Sequence, residues 1–185
     1  NNGVVTETMI IVESDPRIDV SQKAIDESYN ASKEIQAMSQ VAADAVKQLV
    51  ESKTIAENFS KDLKKDAGKD TTKYKEELKQ SKDVIKKIDD LLAMYIGTVD
   101  KRQGITRNPE VTINNRFGQA SWYIRSRFGE QTNTETILLN QFKDSFNKGI
   151  EKTNTFFTNE WAKYKLEVEK IDISPFKKIQ KFSKN

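Results

Sequence analysis

The stretch that decides the fold is Thr134 to Lys170, TETILLNQFKDSFNKGIEKTNTFFTNEWAKYKLEVEK. Read as one helix, it places large side chains at spacings of three and four residues, which average to the α-helical period. These positions are Leu139, Phe142, Phe146, Ile150, Thr153, Phe157, Trp161, Tyr164 and Val168. Because aromatic side chains bury large areas, this seam needs two or three other helices of comparable length packed around it.

The composition predicts an elongated molecule. The chain has 185 residues, which is enough for one domain, with 36% hydrophobic and 32% charged residues. That is too little apolar material for a deep interior but enough for one stripe on each helix. The net charge is only +3, and the two signs are interleaved along the chain. We therefore expect no nucleic-acid partner.

Four helices are predicted in order along the chain. The first begins at a cap on Asp19 or Ser21 and ends before Gly68, and the second follows Asp70 to Thr72 and ends at Gly97. After an irregular loop at 98–108, Pro109 suits the first turn of the third helix, which Gly129 closes. Asn133 or Thr134 caps the fourth, and a short amphipathic piece follows at 176–182. The predicted fold is all-α: an elongated antiparallel four-helix bundle with a short N-terminal orphan β-strand and a short C-terminal helix.

The N-terminal segment differs from the rest. Residues 4–12 are rich in β-branched side chains, which predicts a strand, and the Asp15-Pro16 step ends it. A lone strand is not stable in water, so the segment is either a disordered tail or the last strand of a β domain upstream. The pattern favours the second interpretation, with 1–16 as strand and linker and 17–185 as the helical bundle domain. The absence of a signal peptide is typical of a processed protein or an excised domain.

The inventory of reactive groups is short. The sequence has no cysteine and no histidine, which removes disulfides, the usual zinc and copper ligands and the commonest general base. The carboxylate pairs Glu76-Glu77 and Asp89-Asp90 point about 100° apart on a helix and do not converge. We expect no catalytic, cofactor-binding or metal-binding residues and no enzymatic activity of this module. The sequence contains no run of about 18 apolar residues, and so it predicts no transmembrane segment.

One group of residues on the predicted third helix is a candidate partner contact. Trp122 lies off the apolar stripe of that helix, so it either fills a groove toward another helix, which is the commoner case, or marks an exposed contact patch. The nearby arginines either bind an anion or pair with carboxylates of the bundle. The candidate contact residues are Trp122, Tyr123, Arg116, Arg125 and Arg127.

The two ends of the chain resemble a known family. An apolar strand is followed by Asp15-Pro16-Arg17, and the last long helix carries Trp161 and runs into Ile171-Asp172-Ile173-Ser174-Pro175-Phe176. With a long helix, a helical hairpin and a proline-bearing loop between them, this layout resembles the C-terminal helical region of large bacterial secreted proteins. Those proteins carry a sortilin-like or neuraminidase-repeat β-propeller and are often labelled glycosyl hydrolases. Their final segment has a leucine- and asparagine-containing turn, where this chain has Phe176-Lys177-Lys178-Ile179.

The resemblance implies a function outside catalysis. It implies that the residues before Asp15 close a small β-sandwich and that any sugar chemistry sits in the propeller, so no catalytic residue carries over to this chain. The first hypothesis is therefore a non-catalytic helical accessory or interaction module of a larger protein that is secreted, periplasmic or on the cell surface. Its partner is the preceding β domain or another protein, and a homodimer through the strand or first helix is left open. The alternative is a stand-alone helical protein that binds an anionic ligand or a protein through the third helix.

Overall fold

The computed structural model describes residue 3 and residues 5–13, 15–17, 19–70, 72–98, 111–126 and 129–171. All regular structure within these ranges is helical. The elements are α1 (Gln22–Ala67), α2 (Lys75–Ile96), α3 (Ile113–Arg125), α4 (Asn133–Phe156), a π-helical turn (Phe157–Trp161) and α5 (Ala162–Val168). Since α4, the π turn and α5 follow each other without a break, they act as one long helix. The all-α prediction and the bundle of four helices are confirmed.

Local sequence signals define most helix ends. Ser21 caps α1 by accepting from the backbone N–H of Ala24 at 3.2 Å, and Gly68 ends that helix with a φ of 60°. The cap of helix α4 is Thr132, one or two residues before the predicted cap, because Thr132 and Glu135 form a reciprocal capping box. Helix α3 starts at Ile113 because Thr112 is its cap. The prediction that its first turn begins at Pro109 is therefore wrong.

The order of the helices along the bundle follows from contacts between them. Helix α1 has 46 residues, which gives a length of about 70 Å. Its C-terminal half pairs with α2 through Lys53 and Asp89, whose Nζ and Oδ1 are 2.6 Å apart. Its N-terminal half lies beside α3, since Ser32 and Arg125 line the same cavity. Helices α2 and α3 thus follow one another along α1, and both run antiparallel to it.

The fourth predicted helix returns parallel to α1 and covers both shorter helices. Near its start, Lys143 Nζ lies 2.7 Å from Glu34 Oε1 of α1. Near its end, the Tyr164 hydroxyl lies 2.9 Å from Ser81 Oγ of α2. Each cross-section of the bundle therefore contains three helices: α1, either α2 or α3, and the α4–α5 helix. The core runs along the line where these three meet.

The predicted seam of the fourth helix is confirmed in outline and corrected in register. Its buried positions are Leu139, Phe142, Phe146, Gly149, Thr153, Phe156 and Tyr164. The predicted positions Ile150, Phe157, Trp161 and Val168 are only half-buried and pack at the margin of the core. A regular continuation beyond Phe156 would bring Glu160 and Lys163 to the seam. The π turn adds one residue, and so the aromatic ring of Tyr164 is buried instead of the ammonium of Lys163.

Gly149 allows three helices to meet closely. A Cβ atom at this position would clash with Cδ1 of Ile113 at the start of α3 and would lie 3.4 Å from the ring of Tyr95 at the end of α2. The junction between α2 and α3 therefore packs directly on the backbone of α4. Because interiors are packed densely, the space cannot accept another methyl group without movement of a neighbour.

The N-terminal segment has no contacts of this kind. Residues 5–13 belong to neither a helix nor a strand, so the orphan strand is not confirmed and stays a prediction. Its large apolar side chains, Val5, Met9, Ile10, Ile11 and Val12, are 79–90% exposed. The expected C-terminal helix at 176–182 lies outside the described residues. Among the helices that the structure describes, none combines the length and the apolar character needed to cross a bilayer.

Two glycines within the described helices give a matched pair of substitutions. Gly149→Ala should lower the free energy of unfolding by about 1–3 kcal/mol, because the added methyl overpacks the contact with Ile113. Gly118→Ala should raise it by about 0.5–1 kcal/mol, because its Cβ position on α3 is open. Urea unfolding of both variants measures the difference. Equal effects would contradict the close approach at Gly149.

Candidate functional site

Helix α3 carries the candidate contact residues, and the capping box at its start fixes their orientation. Thr112 Oγ1 accepts from the backbone N–H of Asn115 at 3.1 Å, and Asn115 Oδ1 accepts from the backbone N–H of Thr112 at 3.2 Å. From this start, a rotation of about 100° per residue places Arg116 and Tyr123 on one side of α3 and Trp122 and Arg125 on another. Arg127 lies outside the described residues.

Arg116 connects two helices. Its Nη1 donates to Oε1 of Gln141 on α4, and the side chain is half-buried. Its Nε is buried and has no hydrogen-bond partner within the described part of the chain. Because one edge of the guanidinium is hydrogen-bonded to α4, less of the Arg116 side chain is available to bind the anion that the sequence analysis considered.

Trp122 and Tyr123 form an exposed aromatic pair. Trp122 is 65% exposed, so the expectation that it fills a groove between helices is wrong. Its ring packs edge-on against the ring of Tyr123, with centroids 5.0 Å apart. The apolar side of α3 is occupied by Ile113, Ala120 and Ile124, and Trp122 points away from them. Exposed tryptophan and tyrosine are common in protein contact surfaces.

Arg125 lies at one end of a groove between α1 and α3. A cavity of about 230 Å³ there is lined by Ser32, Ile35, Gln36, Ser39, Gln40, Ala43, Phe117, Ser121, Ile124 and Arg125. A second cavity of about 290 Å³ lies next to it and shares Ser39, Ala43 and Phe117 with its lining. Arg125 is the charged residue of this lining. Small serine and alanine side chains of α1 keep the groove open.

A second candidate site, which the sequence did not predict, lies between α2 and the π turn. The ammonium of Lys87 donates to Oε1 of Glu160 at 2.8 Å. This hydrogen bond holds the pKa of the Glu160 carboxyl below its usual value, against the opposing effect of desolvation. The other oxygen of Glu160, Oε2, is buried and has no hydrogen-bond partner in the described chain. No local sequence signal indicated this site, because the three-four spacing continues without a break through Phe157, Trp161 and Tyr164.

Two tyrosines hold the helices together by the same hydrogen-bonding arrangement. Ser81 donates to the carbonyl of Glu77 at 2.9 Å, so the Tyr164 hydroxyl, 2.9 Å from Ser81 Oγ, is the donor in that pair. On α4, Thr153 donates to the carbonyl of Gly149 at 2.8 Å and accepts from Tyr95 at 2.9 Å. These buried hydroxyls are satisfied and have a structural role.

The pKa values of both tyrosines reflect this burial. Desolvation raises the pKa of Tyr95 and that of Tyr164, and the hydrogen bonds to Thr153 and Ser81 offset only part of the effect. The neutral phenols are therefore the form that the fold stabilises.

The structure offers no metal site within the described residues. No group of three or more histidine, cysteine, aspartate or glutamate side chains there is placed to hold a metal ion. The predicted carboxylate pairs Glu76-Glu77 and Asp89-Asp90 lie along α2, where Asp89 pairs with Lys53. These carboxylates do not form a constellation for proton transfer with the tyrosines described above.

Comparison of the chain with protein-family models, with curated proteins and with solved structures gave no match in any of the three.

Trp122→Ala separates a surface role from a core role. Because this side chain is mostly exposed, its removal should change the free energy of unfolding by no more than about 0.5 kcal/mol. Phe142→Ala is the matched control: it removes a fully buried ring and should cost about 3–5 kcal/mol. Urea unfolding compares them, and a cost at Trp122 close to that at Phe142 would show that the tryptophan belongs to the core.

Alkaline pH should destabilise the fold through its buried tyrosines. The pKa values of Tyr95 and Tyr164 are raised in the folded state, so the unfolded chain releases these protons first. Their contribution is full below a pH of about 10, the usual tyrosine pKa, and is lost as the pH rises through the folded-state values. Thermal unfolding across this range should show a falling Tm. The double variant Tyr95→Phe/Tyr164→Phe should show a smaller decrease, and an unchanged decrease would contradict the assignment.

Proposed function

We propose that this chain is a non-catalytic helical accessory module of a larger extracytoplasmic protein, and that residues 5–12 join it to a β domain. The β domain belongs to the same polypeptide or to a protein partner. The bundle supplies a rigid rod about 70 Å long, and the N-terminal segment supplies the attachment.

The observation that carries this proposal is the exposure of a continuous apolar segment. Met9, Ile10, Ile11 and Val12 are consecutive and are each 79–90% exposed. Exposed apolar side chains that are contiguous, rather than scattered singly, mark contact surfaces. No backbone hydrogen bond joins residues 5–13 to the rest of the described chain. Both the side chains and the backbone of this segment are therefore open to a partner.

A β-sheet is the partner that suits this segment best. Added as a strand, the segment would satisfy its backbone groups along a sheet edge while its side chains entered pockets on alternate faces. The enrichment in valine, isoleucine and threonine favours the same geometry. No sheet exists in the described part of this chain to receive it.

The resemblance to the propeller-bearing secreted proteins supports two parts of this proposal: the location of the module outside the cytoplasm and its non-catalytic role. In that arrangement, the module is outside the cytoplasm, and any glycosidase activity resides in domains upstream of it. The bundle itself would then be no enzyme and would bind no cofactor.

A stand-alone binding protein is the second candidate function, and one observation favours it. Trp122 and Tyr123 form an exposed aromatic pair on α3, and Arg125 stands at the end of the adjacent groove. A protein surface or an anionic ligand is the partner such a combination would bind.

Site-specific photocrosslinking in the native source cells distinguishes the two functions. A photoreactive amino acid replaces Ile10 in one variant, Trp122 in a second, and the exposed Ile137 of α4 in a control. We expect the Ile10 probe to crosslink to a strand of a β-sheet domain, identified by mass spectrometry of the crosslinked peptide, while the Ile137 probe gives background labelling.

Two results would contradict the accessory-module proposal. Crosslinks from Ile10 to the helices of this chain alone would show that the segment folds back on the bundle. Specific crosslinks from Trp122, with background labelling from Ile10, would favour the binding protein instead. An immunoblot of the same cells reports whether the bundle is carried in a polypeptide larger than 21.2 kDa.

A further inference from the structure

The two neighbouring cavities between α1 and α3 differ in chemistry. The cavity of about 230 Å³ has a largely polar lining, with the side chains of Ser32, Gln36, Ser39, Gln40, Ser121 and Arg125. The cavity of about 290 Å³ has a largely apolar lining, which includes Ala42, Val46, Ile96, Ile113, Phe117 and Phe142. Because the two linings share residues, a single ligand that occupied both cavities would have one polar end and one apolar end.

The polar cavity contains hydrogen-bonding groups that the protein itself does not use. In other parts of α1 and α4, Ser60 and Ser145 donate to the backbone carbonyl four residues earlier, at 3.0 and 2.9 Å. Ser32, Ser39 and Ser121 are half-buried and make no hydrogen bond within the part of the chain that the structure describes. Their hydroxyl groups are therefore available as donors to a ligand.

The charge of the groove is positive. Among the described residues, Arg125 has neither an ion pair nor a hydrogen bond to its guanidinium, whereas Arg17 pairs with Asp15 at 2.6 Å. The sequence has 28 acidic residues, yet no carboxylate belongs to the lining of either cavity. An arginine without a partner, beside free hydroxyl donors, suits a carboxylate or another oxyanion.

The apolar cavity is open to solvent on one side. Phe142 is fully buried at its base, but Ile96 on its wall is 60% exposed. An alkyl chain in this cavity would cover apolar surface that water now contacts, which is favourable.

We propose that the two cavities together bind a single-chain amphiphile with an anionic head, of the fatty-acid class. The carboxylate accepts hydrogen bonds from Arg125 and the serine hydroxyls, and the alkyl chain passes Phe117 into the apolar cavity. This inference rests on the two cavities and is independent of the proposed accessory role.

An NMR titration of the whole chain with four compounds tests the proposal. Decanoate has both parts of the ligand, butyrate has the head with a short tail, decanol has the tail without the charge, and decyltrimethylammonium has the opposite charge. All are kept below the concentrations at which they form micelles, and the backbone amide shifts of Ser39, Ile96 and Phe117 are followed. We expect saturable shifts with decanoate and at least tenfold weaker binding of the other three.

The length of the tail gives a second measure. From hexanoate to decanoate, the affinity should rise about two- to fourfold for each added methylene group, because each one removes apolar surface from water.

Two variants and two matched controls locate the binding. Arg125→Gln should weaken decanoate binding at least tenfold and leave decanol binding unchanged, because only the head loses its partner. Ala43 is exposed and belongs to both linings, so Ala43→Phe should block the ligand. Lys148→Gln on α4 and Ala37→Phe on α1 change exposed positions outside both linings and should leave decanoate binding as in the unchanged protein.

Several outcomes would overturn the proposal. Equal affinities for decanoate and decanol would show an apolar surface without an anion site, and equal affinities for decanoate and butyrate would show an anion site without a tail cavity. Shifts that do not saturate, or an equal loss in Arg125→Gln and Lys148→Gln, would show general attraction to the surface. Shifts of the same amides with protein concentration alone would show that a second copy of the chain occupies the groove.

Discussion

The long α4–α5 helix has an aromatic seam that must be shielded from water over its whole length. The rest of the structure depends on this constraint. The seam runs from Leu139 to Tyr164, too far for any short helix to cover. Helix α1 spans it on one side. Helices α2 and α3 cover the other side in succession, and they meet at Gly149, where the lack of a side chain lets Ile113 and Tyr95 approach the backbone.

The π turn resolves a conflict between the seam and the charged residues that follow it. Without the extra residue, Glu160 and Lys163 would face the core, and burying these charges would be costly. With it, Tyr164 is buried and donates to Ser81, while Glu160 reaches Lys87 at the margin. The same local feature thus completes the core at this end and creates the cleft with the unpaired carboxylate oxygen.

The bundle and the N-terminal segment differ in how their apolar side chains and polar groups are placed. Along the bundle, the apolar side chains of the seam are buried, and the buried hydroxyls of Tyr95 and Tyr164 are hydrogen-bonded. In residues 5–12 the apolar side chains are exposed and the backbone is unpaired. We expect this difference between the bundle and residues 5–12 if a partner buries the apolar side chains of that segment and pairs its backbone.

The sequence by itself determined the helices, because the three-four spacing of large apolar residues and the caps at Ser21 and Gly68 are local signals. It also marked Trp122 as lying off the apolar stripe. Only the tertiary structure decided that Trp122 is exposed, that α2 and α3 lie end to end, and that Phe156 rather than Phe157 is buried. These outcomes depend on which helices meet at each level, and a π turn leaves no local sequence signal. Periodicity along one helix cannot report the position of its neighbours, and so it could not reveal the cleft at Glu160.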